Sequence, residues 1–341
     1  MDNLTHSLTG LMLSRAGLNR LTPRASLLLI LTGNAPDIDT VSWLGGTARY
    51  LEIHRGYTHS WVMVPVLSLV AAVFAWWSMR WPKWAQRPVG GVEDRAAWSW
   101  WKAWLIGMIG VASHLLLDWT NNYGIRWGLP FDSSWHRLDL LFVIDPWVWI
   151  VLLLAVAGPF LSRLVSGEIG AGKTTGFGAA WFALIVLSIY IGGRFLLHGQ
   201  AIQLLSERVY DEQTPRRVAA FPEFGNPFRW RAVAELGNGY WVSQIRPLEG
   251  FDPAEGRLYY QAPAQPAITA ASETSDFRSF VKFNQFPLWH VIPLTDPDGA
   301  MRVELYDMRF GDPSSPGFVA TATIEGGRPE NESLRFGAPK L

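Results

Sequence analysis

The histidines and aspartates of the first 145 residues are the groups in this sequence that are best placed to do chemistry. His114 and Asp118 lie four residues apart at the end of an apolar stretch. On a helix this spacing puts both side chains on one face, so an imidazole nitrogen and a carboxylate oxygen can reach the same point. Ionisable groups in an apolar segment are costly and indicate function by default. The alternative for this pair alone is a helix end whose polar side chains extend to the membrane interface.

Further imidazoles and carboxylates precede this pair. Asp37 and Asp39 follow Pro36, which ends a helix and turns the carboxylates outward. His54 and His59 come just before a long apolar run. The groups that we predict as metal ligands, almost all of them bordering membrane segments, are His6, Asp37, Asp39, His54, His59, His114 and Asp118. Asp132, His136 and Asp139 are further candidates, although Trp135-His136-Arg137 also fits an interfacial anchor.

The ligand types restrict the metal. The chain has no cysteine, which excludes thiolate sites and Cys nucleophiles. Imidazole with carboxylate suits Zn²⁺, Mn²⁺ or Fe, and we expect zinc first. The predicted set exceeds the three or four ligands of one zinc, so one ion or two fit it, with a carboxylate of Asp37 or Asp39 bridging in the second case.

A bound ion would lower the pKa of water and polarise an ester or phosphoryl oxygen. We predict two residues as catalytic. Asp39 would bridge the ions or orient a ligand histidine, and Arg55 would neutralise a phosphate oxygen through its planar guanidinium. For Arg55, an interfacial arginine that supports the fold is the alternative.

Several motifs resemble a known family. They are Met1-Asp-Asn-Leu-Thr5-His6-Ser, Pro36-Asp37-Ile-Asp39, His54-Arg55-Gly56-Tyr57-Thr58-His59-Ser60, His114-Leu-Leu-Leu-Asp118 and Asn122-Tyr123-Gly124. Together they resemble the YdjM-like family of inner-membrane metal-dependent hydrolases, and the resemblance extends into the tail at Ala220-Phe-Pro222 and Asn226–Arg231. The resemblance implies a metal-dependent hydrolase of the bacterial inner membrane. The family is compared with zinc phospholipase C and P1-type nucleases through its ligand types, which identifies no substrate.

Membrane helices must position these groups. The chain is 49% hydrophobic with 17% charged residues, a balance typical of membrane proteins. We predict four long spans, which are Trp61–Met79, the run that leads into His114, Pro146–Ser162 and Thr174–Gly193. Two shorter helices, Leu4–Leu18 and Ala25–Pro36, precede them, with Asp2 or Asn3 as the N-cap. These two either enter the membrane or lie on its surface.

The orientation follows from basic residues. If the short helices enter the membrane, ten Lys and Arg fall in the loops of one side and four in those of the other. The positive-inside rule then places the metal site and the C-terminal domain outside the cytoplasm, in a multi-pass protein. If the short helices lie on the surface, the count is seven against seven and gives no orientation.

The last third of the chain has a different character. Residues 1–199 form the predicted membrane domain and residues 200–341 a β-rich extramembrane domain, joined by a polar helix over Ala201–Asp211. Short stretches between turn signals predict its strands. They are Tyr240–Ile245, Gly256–Gln261, Phe280–Phe283, Met301–Phe310 and Gly317–Ile324.

These features predict hydrolysis of a phosphoester or a lipid-like ester at headgroup depth. The alternative is a non-enzymatic membrane protein with a structural metal and a partner-binding β domain. Transport is a third hypothesis, but it requires ionisable residues along the full helix depth. The net charge of zero argues against nucleic-acid binding. Gly167–Thr174 matches the P-loop pattern but lies between apolar runs with no room for a βαβ unit, so we expect no nucleotide.

Overall fold

The computed structural model describes residues 1–81, 97–169, 176–296 and 298–336, without the side chains of 160 and 162–169. The chain divides into two compact units. The first comprises Met1–Asp39, Arg55–Leu196 and Pro222–Pro227, and the second Thr40–His54, Leu197–Phe221 and Phe228–Leu341. Residues 40–54 of the predicted membrane domain thus belong to the second unit, and residues 222–227 of the predicted β-rich domain belong to the first. The P-loop-like stretch lies largely outside the described residues.

Helices dominate the described chain up to Ser206, and strands dominate the remainder. The helices are α1 (Asn3–Arg15), α2 (Ala25–Asn34), α3 (Thr47–Ile53), α4 (Met63–Ser78), α5 (Trp100–Trp119), α6 (Pro146–Ile169), α7 (Phe177–Ser206), α8 (Pro266–Ser272) and α9 (Ser275–Phe283). The strands are β1 (Arg217–Glu223), β2 (Asn226–Glu235), β3 (Gly239–Ile245), β4 (Arg257–Tyr260), β5 (Pro287–Pro293), β6 (Met301–Asp307), β7 (Phe318–Glu325) and β8 (Arg328–Phe336). Short 3₁₀ segments at Pro36–Gly45 and Tyr57–His59 carry site residues.

The first unit is helical, and its N-terminal helices pack against the long ones. Asp2 caps α1 by accepting a hydrogen bond from Thr5 N at 3.0 Å, which confirms the predicted cap. Buried side chains of α2, α4 and α5 form one core, among them Leu28, Leu29 and Ile106. The two short helices therefore belong to the same packed body as the longer ones.

Two helices of the described residues, α5 and α7, are long and apolar enough to cross a membrane, or three if a bent helix pair that ends in α4 counts as one span. The described apolar part of α6, Pro146–Pro159, is shorter. On α4, exposed side chains such as Val66, Val70 and Val73 form a helical stripe typical of a lipid-facing surface. Length and composition thus support two or three spans where the sequence predicts four.

The second unit confirms the β-rich C-terminal region. Its strands form two four-stranded sheets, in the orders β1-β2-β3-β4 and β5-β6-β7-β8. Consecutive strands of the second sheet pair antiparallel. The aromatic residues Phe221, Tyr240 and Phe286 lie in a core to which both sheets contribute.

Two local predictions for this region were wrong. Phe280–Phe283 is the end of helix α9, because Phe277, Phe280 and Phe283 recur every three residues and bury one helical face. The polar helix predicted over Ala201–Asp211 is helical only to Ser206, where α7 ends, so its predicted end was wrong.

Candidate metal centre

Four buried side chains of the first unit converge on one point. They are Asp37, His59, His114 and Asp118, and one ligand atom from each lies within 4.8 Å of all the others. The Nε2 atoms of His59 and His114 are 3.1 Å apart. Asp118 Oδ2 is 3.4 Å from both of these nitrogens. Asp37 Oδ1 is 3.4 Å from the His59 nitrogen and 3.8 Å from that of His114.

These distances fit a metal ion. Bonds of about 2.0–2.1 Å to nitrogen and oxygen place neighbouring ligands of a tetrahedral ion roughly 3.3 Å apart. The five distances above range from 3.1 to 3.8 Å and so lie on both sides of that ligand–ligand separation. Asp118 Oδ2 is buried without a hydrogen-bond partner among the described residues, which is costly unless a cation neutralises it. The group can therefore hold a metal ion.

Outer contacts orient both histidines. His114 Nδ1 lies 2.7 Å from the carbonyl oxygen of Gly33, which can only accept, so Nδ1 carries the proton and Nε2 presents its lone pair. His59 Nδ1 lies 3.2 Å from Asp39 Oδ2, while Thr58 Oγ1 donates to the same oxygen at 2.6 Å. Histidine ligands of metals typically donate their second nitrogen to a carbonyl or a carboxylate. Asp39 thus occupies the position of a carboxylate that orients a metal-binding histidine.

The helix packing brings these groups together. His114 and Asp118 lie one turn apart on α5, and Gly110 lies one turn before them. A Cβ at Gly110 would be only 2.0 Å from Thr32 Oγ1 on α2, so the two helices approach as closely as they do because no side chain intervenes. This close approach allows the carbonyl of Gly33 to reach His114.

Arg55 ties the site segments to one another. Its guanidinium donates to Asp118 Oδ1 at 3.2 Å, to Asn121 Oδ1 at 3.0 Å and to the carbonyl of Gly124 at 3.3 Å. Its backbone N–H donates to Asp39 Oδ2 at 3.0 Å, with Arg55 itself in the left-handed region at φ 57°. Because Arg55 and the nitrogen of Met1 contact Oδ1 of Asp118, the other oxygen is left to face the histidines.

The electrostatic surroundings keep Asp37 ionised. Burial alone would raise the pKa of its carboxyl group. The hydrogen bond with His59 and the electrostatic interactions with His114 and His59 outweigh burial, so the pKa of the carboxyl group lies well below its usual range. An ionised carboxylate is the form that binds a cation.

His6 stands beside the four-residue group. Its ring stacks on that of His114, with centroids 3.7 Å apart and planes inclined by 22°. Its Nε2 lies 3.4 Å from Asp118 Oδ1, and neither ring nitrogen has a hydrogen-bond partner among the described residues. A buried imidazole in this state is suited to an accessory ligand.

Three further candidates, His54, Asp132 and His136, have contacts of their own. His54 is buried in the second unit at the end of α3, where its ring stacks on that of Tyr50 at 4.5 Å. Its predicted role as a ligand stays a prediction. Asp132 and His136 pair with each other at 3.2 Å in an exposed position. They are not members of the four-residue group.

Comparison with known sequences identifies the family. The sequence model of the YdjM inner membrane protein family matches residues 1–201, more than half of the chain. The chain belongs to this family. The match includes the four converging residues, Asp39 and Arg55, and it confirms the resemblance seen in the motifs.

A relative extends the likeness along the chain. The uncharacterised protein YfhP of Bacillus subtilis (strain 168) is 25% identical over 335 residues, covering 95% of this chain and 91% of the relative. No solved structure matches. The family and the apolar helices together indicate a membrane protein, in which a buried His/Asp group can bind metal.

Sequence reasoning missed two contributors to the site. Gly33 acts through its carbonyl oxygen, and no residue type signals that a carbonyl faces a histidine. Thr58 supports Asp39 through its hydroxyl. Its position directly before His59 in the motif was the available signal.

Proposed function

We propose that this YdjM-family protein is a membrane-bound metal-dependent hydrolase of a phosphoester or a lipid-like ester. The observation that carries the proposal is the set of two inward-facing Nε2 atoms and two carboxylate oxygens, with both histidines held from outside by Gly33 and Asp39. Such a set binds a divalent metal, with zinc as the first candidate and manganese or iron as the alternatives. When bound, the ion would supply an activated water and polarise the substrate oxygen.

The protein's own groups have distinct roles in this proposal. Asp37, His59, His114 and Asp118 hold the ion, and His6 serves as an accessory ligand if a second ion or a higher coordination number is used. Asp39 orients His59. Arg55 fixes Asp118 through its guanidinium, and its contacts with Asp118, Asn121 and Gly124 favour positioning over direct contact with a phosphate.

The number of protein ligands helps to distinguish a catalytic metal site from a structural one. Four protein ligands around a tetrahedral zinc are typical of closed structural sites, whereas catalytic sites keep a position for water. Hydrolysis therefore requires a coordination number of five or six in this site, which manganese and iron accept readily and zinc accepts in some sites. The closed four-residue geometry is the specific observation that favours the second candidate function, a structural metal in a non-enzymatic membrane protein.

The surroundings of the site support a substrate from the membrane. Ile38, which stands between Asp37 and Asp39 in the sequence, is 64% exposed. Exposed apolar side chains beside candidate membrane spans are typical of contact with lipid. We propose four spans formed by α4, α5, α6 and α7, and a site at the extracytoplasmic face, on the distribution of basic residues. Nucleic acids and nucleotides are not expected as substrates.

The proposal is tested by turnover in a lipid environment. Metal-loaded protein in nanodiscs would be offered phosphatidic acid, phosphatidylglycerol and a soluble chromogenic phosphodiester, with His59→Ala as the matched variant. We expect wild-type turnover that falls at least a hundredfold in His59→Ala while circular dichroism stays unchanged. Tight metal binding without turnover of any substrate, together with loss of the fold in His59→Ala, would instead establish the structural site.

A further inference from the structure

The chain makes an excursion between two residues of the metal centre. It leaves the first unit after Asp39 and returns to it at Arg55. The fifteen residues between them, Thr40–His54, pack as part of the second unit. The two residues that flank the excursion, Asp39 and Arg55, are therefore site residues, although the excursion itself belongs to the C-terminal unit.

Aromatic contacts and a hydrogen bond join this excursion to the rest of the second unit. The aromatic rings of Trp43 and Tyr50 lie 5.4 and 6.0 Å from the ring of Phe336 at the end of β8. Phe336 in turn packs against Phe318 at 4.7 Å. Helix α3 also packs along α9, where Ser279 Oγ donates to a carboxylate oxygen of Glu52 at 3.2 Å. The excursion is thus an integral part of the C-terminal fold.

One carboxylate fastens the two ends of the excursion. Oδ2 of Asp39 accepts the backbone N–H of Arg55 at 3.0 Å, so the points of departure and return are held together. The same oxygen lies 3.2 Å from His59 Nδ1 and accepts the hydroxyl of Thr58. A displacement of the excursion would therefore change the contact that orients a metal ligand.

We propose that the C-terminal unit is a positioning device for the metal centre, which it holds in a binding geometry through the excursion and Asp39. Phe336 and Ser279 are the positioning residues, because they contact the excursion directly. The inference rests on the proposed metal site, but not on hydrolysis.

The test measures metal affinity instead of activity. Full-length protein would be titrated with Zn²⁺ and Co²⁺, and the visible spectrum of the cobalt form reports the ligand geometry. The variants are Phe336→Ala and the milder Ser279→Ala. The control is Leu305→Ala, a buried residue of β6, two strands away from β8 in the same sheet. Thermal unfolding of each variant shows how much stability each substitution removes.

We expect Phe336→Ala to lower the affinity about tenfold or more and to shift the cobalt spectrum, with a smaller change of the same kind in Ser279→Ala. Leu305→Ala should bind metal within twofold of wild type despite an equal or greater loss of stability. Equal affinity in all variants, or equal losses in Leu305→Ala and Phe336→Ala, would overturn the inference while the metal site stands. A wild-type protein that binds neither ion would overturn both proposals.

Discussion

The Nε2 atoms of His59 and His114 face each other at 3.1 Å in the buried part of the first unit. The opposite nitrogen of each ring is held, in one case by Asp39 and in the other by the carbonyl of Gly33. When both rings are neutral, this arrangement turns two lone pairs toward each other. A cation between them removes that repulsion and also neutralises the buried carboxylate of Asp118.

Metal should therefore stabilise the fold. At a free Zn²⁺ concentration about 100 times the dissociation constant, linkage adds about 2.7 kcal/mol to the free energy of unfolding. Thermal unfolding with added Zn²⁺ or with a chelator measures this difference. Identical melting curves under both conditions would contradict the prediction.

Gly110→Ala should weaken metal binding although Gly110 is not a metal ligand. The new Cβ would lie 2.0 Å from Thr32 Oγ1 and 3.0 Å from Thr32 Cβ, so we expect α5 to move away from α2 and the contact between His114 and Gly33 to lengthen. We expect a loss of about 1–3 kcal/mol in stability and a metal affinity at least tenfold lower, measured by competition with a chelator.

Gly158→Ala is the matched control, because a Cβ there meets no atom of the described residues within 4 Å. It should leave metal affinity unchanged and raise the free energy of unfolding by at most about 1 kcal/mol. A Gly110→Ala protein that binds metal as the wild type does would show that close packing of α2 and α5 does not position His114.

Asp39→Asn should weaken metal binding without removing a ligand. The amide keeps the size of the side chain but loses the charge that holds His59 Nδ1 and accepts from Arg55 N. Substitutions of groups that orient metal ligands typically cost 10–100-fold in affinity. Isothermal titration with Zn²⁺ measures the change. Asp132→Asn, which alters an exposed carboxylate paired with His136, should change nothing. Equal effects in the two variants would remove Asp39 from the site.

Acidification should release the metal, because protons compete with it for the nitrogen atoms of the ligand imidazoles. Asp37 does not set the pH of this release, because its pKa in the folded protein is lowered. A carboxyl group of this kind contributes stability above its unfolded pKa of about 3.9 and loses it only as the pH falls through the lower folded value. Dialysis at stepped pH followed by metal analysis tests the prediction, and full retention at pH 4 would contradict it.

The four residues that converge were among the candidates predicted from the sequence, because chemistry limits which residue types bind a divalent ion. The spacing of His114 and Asp118 on one helix face also placed two of them together. The orientation of the histidines was not predictable. It depends on Gly33, which contributes a backbone carbonyl, and on a close helix approach at Gly110 that no pattern of side chains encodes.

Helices and strands were predictable where the hydrophobic periodicity extended over many residues. The prediction failed where the periodic stretch was short. The helices around the site have the predicted limits to within a few residues, as at α2 and α4. The stretch Phe280–Phe283 was too short to distinguish a strand from the end of a helix. The excursion of residues 40–54 was not foreseen, since their place in the second unit depends on contacts with Phe336 and Ser279 far along the chain.

The most direct test of the metal centre is the metal content of the purified protein. Elemental analysis would compare detergent-purified wild type with the double variant Asp37→Ala/His114→Ala, after confirmation by circular dichroism that both are folded. We predict about one equivalent of zinc, manganese or iron in the wild type and none in the variant. A wild-type protein that holds no metal, even after incubation with Zn²⁺ or Mn²⁺, would contradict the metal centre and leave these residues as a buried hydrogen-bonded network.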